Sequence, residues 1–69
     1  MVSKKDLSLA QRIKKLRLKQ GFSQDELARL SDIPYTTLTK IESGKIQNPS
    51  FKAVSKIAKA LNIKLDNLS

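Results

Sequence analysis

The chain has 69 residues, with 14 Lys and Arg against 6 Asp and Glu, a formal charge of +8, and neither cysteine nor histidine. This excludes disulfides, thiolate or imidazole metal sites and the commonest general base, and leaves no length for a second lobe around a substrate cleft. Charge at this density favours anionic polymers or membrane surfaces as partners, though it also suits a protein that is simply well solvated.

The first residues, MVSKKDLS, lack an apolar core of signal-peptide length, and no apolar run approaches a membrane span, so a soluble, cytoplasmic chain is expected. Residues 1–7 read as a basic arm and residues 8–69 as one domain. Repeats, low-complexity segments and the period-two alternation of strands are all missing, whereas helical spacing recurs throughout. Leu9, Ile13 and Leu16 set the apolar stripe of a first helix, roughly residues 8–20, surrounded by Arg12, Lys14, Lys15 and Lys19. Gly21 supplies the left-handed residue that ends it.

The best-marked start is FSQDEL, residues 22–27. Ser23 is the N-cap and Glu26 completes a capping box, with Phe22 and Leu27 spaced as a hydrophobic staple. Asp25 and Glu26 also suit the positive end of the helix dipole. This helix, 23–31, runs through Leu27, Ala28 and Leu30, and three turn residues separate it from a third helix over 34–42. There Leu38 and Ile41 point inward, leaving Tyr35, Thr36, Thr39 and Lys40 on the other side. A face meant only for water is usually Glu, Lys and Gln; one aromatic, two hydroxyls and an amine look suited to contact. After Gly44 and the polar loop KIQNP, Ser50 caps a fourth helix whose buried side is Phe51, Val54, Ile57, Ala58 and Leu61. Asn62 ends it, and Ile63, Leu65 and Leu68 suggest a fifth, short helical turn against the core.

Two helices joined by about three residues cross steeply, which is helix-turn-helix geometry. Five fragments carry a wider likeness: L-x-x-x-I-x-x-L-R (9–17), G-F-S-Q-x-E-L-A (21–28), I-P-x-x-x-L-x-K-I-E-x-G-K (33–45), N-P-S (48–50) and I-A-K-A-L (57–61). Each is weak alone; at this spacing, and over nearly the whole chain, the set resembles the phage-repressor/Cro-type helix-turn-helix family, also called the xenobiotic-response-element family. The resemblance implies an all-α, lambda-repressor-like bundle of five short helices. It also implies a transcriptional regulator, most simply a repressor, that binds double-stranded DNA with the third helix in the major groove. No cofactor, metal or small-molecule ligand is implied. A homodimer on a pseudo-palindrome would follow, since one helix touches few base pairs and two sit about 34 Å apart along one face of the duplex.

In that setting Tyr35, Thr36, Thr39 and Lys40 are the expected base-reading residues. Lys40 suits guanine O6 and N7, the Thr36 and Thr39 methyls suit the thymine methyl, and Tyr35 suits either a thymine methyl or a phosphate. Ser23 and Gln24, at a helix start where free N–H groups attract anions, and Ser43, Lys45, Gln47 and Asn48 after the third helix, match the family's backbone contacts. For each there is a plainer role as cap or solvated surface. Glu42 lies where the helix dipole disfavours an anion and so invites a cation; the resemblance points to Arg17, as a structural salt bridge. Ile46, Leu65 and Leu68 are candidates for either a dimer contact or the core.

Three positions depart from the family pattern. Asp32 replaces a usual turn glycine, Pro34 replaces a capping hydroxyl residue, and Lys64 replaces a small cap before the last helix. Two other classes stay open: an antitoxin-type module that binds a protein as well as DNA, and a coat that binds any nucleic acid by charge. An enzyme fits least, because the six acids are dispersed and adjacent Asp25 and Glu26 do not converge on one point.

Overall fold

Side-chain caps open three of the four helices in the computed structural model, which describes residues 8–65 and Leu68. The predicted arm, residues 1–7, lies outside the described residues. Ser8 Oγ accepts the Gln11 N–H at 3.2 Å and Gln11 Oε1 accepts the Ser8 N–H at 3.0 Å, opening α1, Leu9–Lys19. The predicted box at Ser23 forms in the same way: Ser23 Oγ accepts the Glu26 N–H at 3.0 Å, Glu26 Oε1 accepts the Ser23 N–H at 2.9 Å, and α2 runs Gln24–Ser31. Pro34 precedes α3, Tyr35–Ser43, with its φ of −56° preset for a helix start but with no side-chain cap bond. Ser50 accepts the Ala53 N–H at 3.1 Å and opens α4, Phe51–Ala60.

Each helix is closed by a left-handed residue: Gly21 (φ 78°), Asp32 (φ 56°), Gly44 (φ 86°) and Asn62 (φ 57°). Asp and Asn reach this region at less cost than other residues with a Cβ, so the substitution of Asp32 for the usual glycine leaves the turn intact. The bonds there form a Schellman closure, with the Ile33 N–H donating to Ala28 O at 3.0 Å and the apolar Ile33 side chain 8% exposed. From α4, Lys56 Nζ donates to Asp32 O at 3.3 Å and lies 3.7 Å from its carboxylate. The three-residue turn between α2 and α3 is thereby held at both faces.

α2 packs on both α3 and α4, and α1 packs on α3. Ile13, Leu27, Leu38, Ile41, Ile57, Leu61 and Leu68 are all less than 2% exposed. At roughly 1.5–3 kcal/mol for each such side chain removed from water, this one cluster supplies most of the drive for a chain so short. Long-range polar contact helps to close it: Gln20 Nε2 at the end of α1 donates to Leu61 O at 2.6 Å.

Two expectations are corrected. Among the described residues there are four α-helices rather than five helices; beyond Asn62, Leu65 is in 3-10 conformation and the Leu68 N–H donates to Leu65 O at 2.9 Å. The Lys64 side chain offers no oxygen to cap a further helix start. Phe51 does not join the buried side of α4 and is 74% exposed. At about 100° per residue it falls at the border of the stripe that Val54, Ile57 and Leu61 define, in the first turn of the helix.

Ser31 Oγ, at the end of α2, is buried without a hydrogen-bond partner. Removing an unsatisfied buried hydroxyl relieves its desolvation cost, so Ser31→Ala should raise unfolding free energy by about 1 kcal/mol, read as a higher urea midpoint at unchanged slope.

Candidate nucleic-acid interface

The third helix is anchored from below and bare above. Leu38 is 0% and Ile41 1% exposed, so the rod cannot roll without opening the core. Helical periodicity then puts Thr36, Lys40 and Ser43 in one outward row, and all three are exposed. Tyr35 is half-exposed at the border of this row. Thr39 sits on the flank, half-buried, and its Oγ1 donates to Thr36 O at 2.8 Å. Its hydroxyl proton is therefore committed within the helix, and what it can offer outward is a methyl group and an acceptor oxygen. The four residues read as one face are thus two outward side chains, Thr36 and Lys40, with Thr39 and then Tyr35 along the same flank.

The segment after α3 folds back on the helix end. Ser43 Oγ donates to Lys40 O at 3.1 Å and accepts the Lys45 N–H at 3.4 Å, while the Ile46 N–H donates to Lys40 O at 3.1 Å. Ser43 is thus a cap for the turn as well as part of the outward row. Lys45, Gln47 and Asn48 are exposed around it. No exposed carboxylate occurs from Tyr35 to Asn48, where Lys40 and Lys45 set a positive surface; the segment's one acid, Glu42, is buried.

Glu42 is held as expected and more tightly than an ordinary surface pair. Arg17 Nε donates to Glu42 Oε2 at 2.8 Å and Arg17 Nη2 to Glu42 Oε1 at 3.1 Å, a two-pronged contact with side chains 8% and 2% exposed. Arg17 Nη1 also donates to Phe22 O at 2.8 Å, just before the cap of α2. One guanidinium thereby joins α1, the turn into α2, and α3.

At the start of α2, Ser23 is exposed and Gln24 half-buried. The Ser23 backbone N–H, and after it the Ser23 hydroxyl, hold the exposed Glu26 carboxyl below the usual carboxylate range, with a smaller contribution from Arg29. Gln24 Nε2 donates to Glu42 Oε1 at 3.3 Å, a contact across 18 residues that local spacing does not reveal. The Ser8–Gln11 box was also missed, although its S-x-x-Q signal was readable. Among the described residues no three metal-ligating side chains converge, and no helix is long and apolar enough to cross a membrane.

An exposed rod edge carrying short hydroxyl and amine side chains, flanked by the start of α2 and by a basic loop, is chemistry for donors meeting an anionic, edge-patterned surface. A family model described as helix-turn-helix matches residues 13–68. A protein of Archaeoglobus fulgidus described as an uncharacterized HTH-type transcriptional regulator is 37% identical over 57 residues, spanning 83% of this chain and 80% of its own. The restriction-modification controller protein C.AhdI from Aeromonas hydrophila superposes with a TM-score of 0.83 at 34% identity, over 88% of this chain and 91% of that one. SinR, described as the master regulator for biofilm formation and solved in complex with DNA, superposes with a TM-score of 0.84 at 32% identity, over 87% of this chain and 95% of that one.

Proposed function

This chain belongs to the helix-turn-helix family, and from that premise we propose that it is a DNA-binding transcriptional regulator whose α3 reads a specific duplex sequence in the major groove. The observation that carries the reading is the outward row Thr36, Lys40 and Ser43 on a helix whose opposite side is locked by Leu38 and Ile41. A groove that admits one helix rewards a rigid rod with short donors, and Lys40 matches guanine O6 and N7. Thr39, with its hydroxyl proton taken by Thr36 O, suits a thymine methyl. Ser43 at the end of the row, and Ser23, Gln24, Lys45, Gln47 and Asn48 around it, serve as phosphate contacts, which fix register without carrying sequence information.

The finer reading is a repressor acting as a homodimer on an inverted repeat, within the cytoplasm and on the nucleoid. Two copies would set paired recognition helices about 34 Å apart. Of the three residues first considered for the contact, Leu68 is 1% exposed and belongs to the core. Ile46 and Leu65 are partly buried and keep an open edge.

Substituting two lysines separates sequence reading from charge. Lys40→Ala should cost about 1–3 kcal/mol on the preferred duplex at one base-pair position and almost nothing when that pair is already wrong. Lys45→Ala should weaken all duplexes alike and lower the slope of log affinity against log salt by roughly 0.9. Anisotropy titrations on matched and scrambled duplexes at several salt concentrations read both. Equal losses for Lys40→Ala on every duplex would favour a charge-driven coat instead.

A further inference from the structure

Gln24 is the one interface residue whose side chain is tied inward to the buried ion pair. Its Nε2 donates to Glu42 Oε1, the same oxygen that accepts from Arg17 Nη2, at 3.3 and 3.1 Å. The Glu42 side chain is 2% exposed and sits in the last turn of α3, whereas Gln24 opens α2. We propose that Glu42 is a positioning residue for DNA: its buried carboxylate orients the Gln24 amide, leaving the second N–H of that amide to meet a backbone phosphate. The inference rests on the reading that the start of α2 lies on the DNA backbone.

A primary amide carries two N–H donors at a fixed angle in one plane, so committing one to a carboxylate aims the other. Glutamine is among the side chains with most rotamer freedom to lose, and prior immobilisation removes that cost from the binding step. The carboxylate is itself held by two Arg17 bonds, and Arg17 also holds Phe22 O beside the α2 cap. Glu42 and Lys40 belong to the same helix, α3. The phosphate contact on α2 and the reading row on α3 thus share one rigid frame, and register is set by a bond between the two helices.

A purely structural ion pair makes a different prediction. Apolar side chains of similar volume often replace a buried ion pair without loss of stability. The double variant Arg17→Met/Glu42→Leu should therefore stay folded, with a Tm at or above that of the parent. It should bind the preferred duplex about tenfold more weakly with its sequence preference unchanged, the loss expected for one misplaced charge-assisted contact. Adding Gln24→Ala to it should then cost nothing further. Parent-like affinity, or a full Gln24→Ala loss in the double-variant background, would overturn the proposal. If the double variant does not fold, relaxation of side-chain amides in the parent decides. Free of DNA, the Gln24 amide should show an order parameter near 0.8, while exposed Gln47 should fall below about 0.6; a Gln24 amide as mobile as that of Gln47 would overturn it. A parent that ignores every duplex would instead defeat the functional reading, which the DNA-free relaxation measurement does not depend on.

Discussion

Leu38→Ala is expected to lower unfolding free energy by about 2–5 kcal/mol, the cost of truncating a wholly buried leucine and leaving a cavity. Leu38 is 0% exposed and lies between α3 and the rest of the core. Domains hold roughly 0.05–0.15 kcal/mol per residue, so a chain of 69 residues has about 3–10 kcal/mol in total. The substitution therefore removes a large share of it, and at the low end unfolds the protein outright. In urea the midpoint should fall with little change in slope, and DNA affinity should decline in step with the folded fraction. Thr36→Ala, on the exposed side of the same helix, should leave stability within about 0.5 kcal/mol while changing DNA binding. The contrast separates anchor from reading face.

The second large effect belongs to the ion pair. Glu42→Ala should cost about 3–5 kcal/mol, because it strands the Arg17 guanidinium in a site where that side chain is only 8% exposed. The Gln24 amide also loses its acceptor. Asp25→Ala supplies the comparison. Its bond to Arg29 is short, at 2.9 Å, yet the two side chains are 61% and 75% exposed, and an exposed pair is worth about 1 kcal/mol or less. Thermal melts of the two variants should therefore differ widely although each loses one carboxylate. Similar melting temperatures would mean that Arg17 and Glu42 are solvated like a surface pair.

Features set by neighbouring residues were legible in the sequence. The capping box at Ser23 and Glu26 and the core positions Leu38 and Ile41 follow from spacings of three or four residues, and the ends at Gly21 and Asn62 from residue type, whereas the turn role of Asp32 was read against the family pattern. Arg17 and Glu42 lie 25 residues apart; they were paired through the family resemblance, since no local rule brings α1 to α3. Where a feature depends on tertiary placement or on a rotamer, spacing failed. Phe51 has the right residue type and nearly the right phase, but it stands at the edge of the stripe. The fifth helix had apolar spacing in Ile63, Leu65 and Leu68 but no side-chain cap, and no fifth α-helix occurs among the described residues. Thr36 and Thr39 look alike in sequence, yet the bond from Thr39 Oγ1 to Thr36 O makes them different donors. The Gln24–Glu42 contact, on which the positioning inference rests, is visible only once α2 and α3 have crossed.

The central claim is that the outward side of α3 reads base sequence, and repeated selection of bound duplexes from a random DNA pool tests it most directly. One motif should be enriched, arranged as an inverted repeat, whose information content drops at a single position per half-site when Lys40 is replaced by alanine. A pool that binds but stays random through successive rounds would contradict it, leaving charge as the whole basis of recognition.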